Sequence, residues 1–143
     1  MTDRKSSAHD LEEGSELRLD FSKMAKAVAK SPGVIPVAVQ NVDTREVILV
    51  AYTNQQAFER SVQTRVATFW STSRNELWIK GETSGHLFEL VEVRVNCEQN
   101  SLLYLVRPES GGICHTRNVE GKARNCYYRR LNLERGALEH LDQ

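Results

Sequence analysis

Three cysteines stand in the second half of the chain, each among polar or charged neighbours. Cys97 lies in Asn96-Cys97-Glu98-Gln99-Asn100, Cys114 leads Cys114-His115-Thr116, and Cys126 leads Cys126-Tyr127-Tyr128-Arg129. Zinc takes thiolate sulfur and imidazole nitrogen, and three such ligands leave a fourth position for water, as a catalytic site requires. The separations, 17 positions and then 12, match no compact zinc-finger pattern. The same residues read otherwise as buried core thiols, or as one disulfide with a thiol left over. The first residues form no apolar secretory segment, which weighs against the disulfide.

His115 follows Cys114 directly. Neighbouring side chains on an extended segment point in opposite directions. If Cys114 binds an ion, His115 therefore faces away from it and is better placed to give or take a proton, with an ordinary pKa near ~6.5. Lys80-Gly81-Glu82-Thr83-Ser84-Gly85 offers a cation, two hydroxyls and glycines that let backbone N–H groups approach an anion, which reads as a phosphate cradle or as a plain solvated turn. Arg74 upstream and Arg117, Lys122, Arg124, Arg129 and Arg130 downstream could grip further phosphate. Trp70 and Trp78 could stack on a purine, though core packing suits at least one of them. His86 follows the cradle, whereas His9 and His140 fall in terminal segments and read as bystanders.

Taken in order, Phe69-Trp70-Ser71, Ser73-Arg74, Glu76-Leu77-Trp78, Lys80 to Gly85, Cys114-His115-Thr116 and Cys126-Tyr127-Tyr128-Arg129 resemble the phosphoribosyl-AMP cyclohydrolases of histidine biosynthesis. The resemblance runs from about Gly33 to Arg130. It implies an enzyme that opens the adenine ring of 1-(5-phosphoribosyl)-AMP at the N1–C6 bond with a zinc-activated water. Zinc ligands would be Cys97, Cys114 and Cys126, contributed by both subunits of a homodimer. His115 would shuttle the proton, with Glu98 as a second acid–base candidate. Trp70, Arg74, Lys80, Glu82, Thr83, Ser84 and Arg117 would hold the nucleotide. The family usually carries Asp-Cys-Asp-x-Asp around its first cysteine, and those aspartates are its magnesium ligands. Here the three positions are Asn96, Glu98 and Asn100, so only one keeps a charge, and magnesium dependence is expected to be weak. The segment 118–123 also lengthens the gap before Cys126. Two other readings accompany that departure: a paralogue acting on another purine nucleotide, and a non-catalytic nucleotide-binding protein with a structural zinc. A small β-rich interaction domain with metal-free cysteines is a third.

The 143 residues make one domain. Nineteen basic residues balance nineteen acidic ones, which leaves no electrostatic case for nucleic acid or an anionic membrane. No apolar run approaches the ~20 residues that span a bilayer. These points lead us to expect a cytoplasmic protein with reduced cysteines.

The elements that must position these groups follow from local pattern. Residues 1–16 are polar and read as a flexible arm before a single domain, 17–143. Asp20 is a candidate N-cap for a helix with Phe21, Met24, Ala25 and Val28 on one face, stopped by Ser31-Pro32-Gly33. Val34–Val39 and Glu46–Tyr52 read as a hairpin. Thr53-Asn54 should cap a helix over Gln55–Gln63 that buries Ala57, Phe58 and Val62. Strands are expected at Val66–Ser71, Glu76–Lys80, His86–Cys97 and Ser101–Val106, with Leu90 one step out of phase in the third. Leu131 and Leu133 would extend a last strand. The pattern predicts an α+β domain, a small and mainly antiparallel sheet with two or three short helices.

Overall fold

The two β-branched runs form the expected hairpin. In the computed structural model, which describes residues 4–80, 87–109, 118–122 and 124–142, β1 (Ile35–Asn41) pairs antiparallel with β2 (Val47–Thr53), from Ile35↔Thr53 to Gln40↔Val47. Asn41 shapes the turn: its side-chain oxygen accepts from the backbone N–H of Asp43 (2.9 Å) and Thr44 (3.1 Å), an Asx-type turn. On the other side of β1 lies β6 (Leu102–Pro108), parallel to it, with Val37↔Leu102 through Asn41↔Val106 in register. A parallel neighbour needs a long connection, and everything from β2 to β6 supplies it. The antiparallel β5 (Phe88–Val95) closes the sheet in the order β2-β1-β6-β5.

Inside that connection, α3 (Gln55–Thr64) starts where its sequence says it should. The Asn54 side chain accepts from Ala57 N at 2.9 Å, and Arg65 ends the helix in the left-handed region at φ 61°. A short hairpin, β3 (Phe69–Ser71) with β4 (Glu76–Trp78), follows. Near the C-terminus β7 (Arg129–Leu131) pairs with β8 (Leu138–His140). Among the described residues there are three helices and a mainly antiparallel set of short strands, which makes this an α+β domain. No helix among them is long and apolar enough to cross a membrane.

The core lies on one face of the four-stranded sheet: Val37, Val39, Phe69, Phe88, Tyr104 and Val106 are fully or almost fully buried. Leu90 is buried too, despite its phase. A β-bulge between Leu90 and Glu92 sets Val91 out of the ladder, so the alternation resets and Val91 is left exposed. Several expected core residues, Ala25 among them, face solvent instead. The helix α2 (Lys23–Lys30) buries only Ala27, while Phe21, Met24 and Val28 are exposed; its start is Ser22, and Asp20 accepts from Ser22 without capping the helix. In α3 the buried partner of Ala57 is Ser61, whose hydroxyl binds Ala57 O and Thr68 O, and Val62 is at the surface. Leu133 sits in the β7–β8 turn, 89% exposed, not in a strand.

Within the polar stretch 1–16, the described residues begin with a helix. This is α1 (Arg4–Glu13), and the chain after it meets the start of β8, with Leu138 N donating to Ser15 O at 2.7 Å and Glu16 forming an isolated bridge with Ala137. The reason is a charge clasp that a composition reading does not show. The Arg124 side chain is only 4% exposed and binds Glu13 and Asp142, each at 2.7 Å, while stacking 4.0 Å above the Tyr128 ring. Tyr128 donates to Glu12 O (2.6 Å), and Arg129 donates to Gly14 O (2.9 Å) and Leu11 O (2.7 Å). His140, which the sequence placed among the bystanders, lies 2.8 Å from Glu13 O and 3.7 Å from the carboxylates of Glu13 and Asp142.

The clasp makes a stability prediction. Arg124→Met would leave two half-buried carboxylates without their cation, at a cost of about 3 kcal/mol in denaturant unfolding. Glu13 is held below its ordinary range, first by the Arg124 hydrogen bond, against burial, with the charges of Arg124, His140 and His9 helping. A lowered folded pKa contributes stability that is present above the unfolded pKa and is lost as pH falls through the folded one. The wild-type protein should therefore lose this share below about pH 4.3, and Glu13→Gln should flatten that part of the stability–pH curve.

Candidate active site

Cys97 occupies the turn of the β5–β6 hairpin, one residue past Asn96. Asn96 organises that turn. Its side-chain oxygen accepts from the backbone N–H of Asn100 (3.0 Å) and Ser101 (2.9 Å), and its backbone oxygen accepts from Gln99 N (3.0 Å). Gln99 takes the left-handed conformation, φ 55°, that the tight reversal needs. The Asn96 amide nitrogen donates to Asn100 Oδ1 at 2.7 Å, and the Asn100 amide nitrogen donates to Glu98 Oε2 at 3.2 Å. The three residues expected around a magnesium ion are thus brought together, and they bond to one another. The Cys97 thiol is exposed.

Cys126 is exposed as well, and it lies elsewhere. Its backbone N–H donates to Ile48 O at 2.7 Å, so it runs along the outer edge of β2. Cys97 leaves β5, the opposite edge strand, beyond the row Val95–Leu102–Val37–Ala51. Ile48 lies several residues toward the other end of the sheet. Four strand spacings of ~4.8 Å and about four residues of ~3.3 Å rise put the backbones of the two cysteines roughly 23 Å apart. Among the described residues of one chain no three His, Cys, Asp or Glu side chains gather to hold a metal. Burial raises the phenol pKa of Tyr127, beside Cys126, and the cysteine's charge adds to this.

Trp70 and Arg74 come together in a cleft of about 460 Å³ over the outer part of β2, whose Val50 and Tyr52 form its floor and whose far wall is Trp78. The β3–β4 turn is fixed by Asn75, whose side-chain oxygen accepts from the Trp70 indole (3.3 Å) and from the Ser31 hydroxyl (2.9 Å). Arg74 reaches Glu76 at 3.4 Å, both half exposed. Trp78 does different work: its ring packs 5.3 Å from Phe69, which packs 6.1 Å from Tyr104. The Lys80 ammonium stands 5.5 Å over Phe88.

Several expected phosphate contacts are otherwise engaged. Arg124 and Arg129 hold the N-terminal segment, Lys122 pairs with Glu120 at 3.5 Å, and Arg130 lies 3.6 Å from Glu139. Glu82, Thr83, Ser84, Cys114, His115 and Arg117 lie outside the described residues, as does His86. A second cleft, about 380 Å³, was not foreseen. It adjoins the Cys97 turn between Gly33, Thr53, Asn54, Phe58, Val95 and Gln99. Its walls come from three separate stretches, so no local run of sequence marks it.

A thiol-bearing hairpin turn with an aromatic and cationic cleft on a small α+β domain offers groups that a hydrolase of nucleotides could use. The family profile of phosphoribosyl-AMP cyclohydrolase matches residues 49–128, more than half of the chain, a span that includes all three cysteines and His115. A phosphoribosyl-AMP cyclohydrolase of Caulobacter vibrioides is 41% identical over 133 residues, covering 92% of this chain and 85% of its own length. Those of Archaeoglobus fulgidus (46% over 99 residues, 69% and 86%) and Nitrosopumilus maritimus (47% over 87 residues, 61% and 80%) are also similar. The chain belongs to the phosphoribosyl-AMP cyclohydrolase family and is an enzyme of that kind.

The two tryptophans should separate under mutation. Trp78→Ala opens the Phe69–Tyr104 stack and should cost about 2–3 kcal/mol in denaturant unfolding. Trp70→Ala, whose ring lines a cleft, should cost less than about 1 kcal/mol, since little core is emptied.

Proposed function

We propose that the chain hydrolyses the adenine ring of 1-(5-phosphoribosyl)-AMP in histidine biosynthesis. Water adds at C6, the N1–C6 bond breaks, and the displaced nitrogen takes up a proton. The observation that carries this reading is the family match, because it spans Cys97, Cys114, His115 and Cys126 together. The donor set suits zinc: two of the three thiols are exposed, soft ligands with polar surroundings. A zinc ion held by Cys97, Cys114 and Cys126 would supply a water of pKa near ~7. His115 would carry a proton toward N1 as the N1–C6 bond breaks. Trp70 and Arg74 would hold the base and a phosphate from the cleft they share, with Lys80, Glu82, Thr83, Ser84 and Arg117 as further binding residues. Glu98, on the turn of Cys97, is an acid–base candidate of second rank, since its carboxylate already accepts from Asn100.

The separation of Cys97 from Cys126 within one chain supports a homodimer whose metal site draws on both subunits. One subunit would give Cys97 and the other Cys126. The departure at Asn96 and Asn100 favours a second reading, a paralogue that opens a related purine nucleotide. An absorbance assay of ring opening on phosphoribosyl-AMP, beside other N1-substituted adenine nucleotides, decides between the two.

Two outcomes are expected. His115→Ala should keep its zinc while ring opening falls by roughly 10²–10⁴-fold. Loss of the zinc instead would make His115 a ligand, and unchanged turnover would remove it from the chemistry. The protein should carry about one zinc per chain by elemental analysis, lost in Cys97→Ser and in Cys126→Ser. Mixing these two inactive variants and letting subunits exchange should restore roughly a quarter of the activity, because half the dimers then own one intact site. A site built within a single chain would give no recovery.

A further inference from the structure

The hydrogen bonds in the Cys97 turn leave only one orientation for each amide. Asn96 presents its oxygen to two backbone N–H groups, Asn100 N and Ser101 N. The other atom of its amide must therefore be the nitrogen, and it donates to Asn100 Oδ1 at 2.7 Å. That in turn leaves the Asn100 nitrogen facing Glu98, whose carboxylate can only accept. Every step follows from the one before, so the amide orientations are fixed by the turn itself.

This donor set does not fit magnesium. The ion binds through carboxylate oxygens and requires near-octahedral geometry. The Asn96 oxygen is taken by the backbone, the Asn100 oxygen by an N–H, and the one carboxylate by another N–H. Those two donors put hydrogen where a cation would sit. With carboxylates at 96 and 100, the 2.7 Å contact would instead bring two anionic oxygens together, a contact that needs a cation or a proton between them.

We propose that the Asn96–Asn100–Glu98 amide chain stands in for a divalent cation as the cross-link of this turn, and holds Cys97 in place with no second metal beside it. The proposal concerns the turn and not the substrate. Its readouts are unfolding temperature and metal content, so failure of the ring-opening assay would not touch it.

The test uses the full-length, zinc-loaded protein, titrated with magnesium chloride and followed by thermal unfolding, calorimetry and zinc analysis. The wild-type midpoint and zinc content should not change with magnesium, and calorimetry should show no saturable binding below millimolar concentrations. Asn96→Asp with Asn100→Asp should unfold several degrees lower without magnesium and recover when it is added, binding the ion at least ~10-fold more tightly than wild type. Asn100→Ala removes the bonds without adding charge, so its midpoint should fall and stay down with magnesium. Magnesium binding by the wild-type protein equal to that of the double variant would overturn the proposal. So would loss of wild-type zinc when magnesium is withheld, a double variant that magnesium does not restore, or an Asn100→Ala protein as stable as wild type.

Discussion

The parallel pairing of β1 with β6 sets the geometry from which the rest follows. Five consecutive registers, Val37↔Leu102 to Asn41↔Val106, lock the centre of the sheet. Both strands must then be covered by apolar neighbours, and Val37, Val39, Tyr104, Leu105 and Val106 are buried almost completely. The pairing also decides which ends of the strands coincide. The β5–β6 turn falls at the end where β1 starts, while the far side of β2 offers Ile48 O to Cys126. Those two facts set Cys97 and Cys126 of one chain at opposite edges of the sheet, which is why the zinc site proposed above draws on two chains.

The outer layer rests on charge. Arg124, Glu13, Asp142 and His140 join an N-terminal segment to a C-terminal hairpin more than a hundred positions away. Burying a guanidinium is favourable only when carboxylates and an aromatic face meet it together, and here Glu13, Asp142 and the Tyr128 ring do so. The cluster also explains why so many cations near Cys126 are unavailable to a phosphate: two of them tie down the chain terminus.

Features set by neighbouring residues were legible in the sequence. The β1–β2 turn, the Asn54 cap and the strands of β5 and β6 follow from residues within a few positions of one another. Even the misplaced Leu90 carried information, since its phase slip is the bulge. Features set by distant partners were not legible. Phe21, Met24 and Val28 have helical spacing, yet nothing local says how far a surface will cover them, and in the single chain all three stay exposed, with Tyr52 reaching only Met24. The contacts of residues 11–14 were not legible either, because their partners, Arg124, Tyr128 and Arg129, lie far along the chain. The cysteines were legible as a set through the family resemblance, but not their distribution over the sheet, which only topology determines.

The same turn shows how two substitutions can be coupled through charge. Three carboxylates around a dication carry one net negative charge; Glu98 beside two neutral amides carries the same. Exchanging two aspartates for asparagines while dispensing with magnesium would therefore leave the field at Cys97 nearly unaltered. Exchanging only one would not: two carboxylates with a dication carry no net charge, and two carboxylates without one carry two negative charges. At contact distances either imbalance is worth on the order of a few kcal/mol even with an effective dielectric near 20. Neither intermediate is as well balanced as the two end states, and Asn96 and Asn100 together constitute one of those end states. The zinc proposed at Cys97 would then meet the same electrostatic surroundings by a different chemical route, with N–H donors supplying the rigidity that an ion would otherwise give.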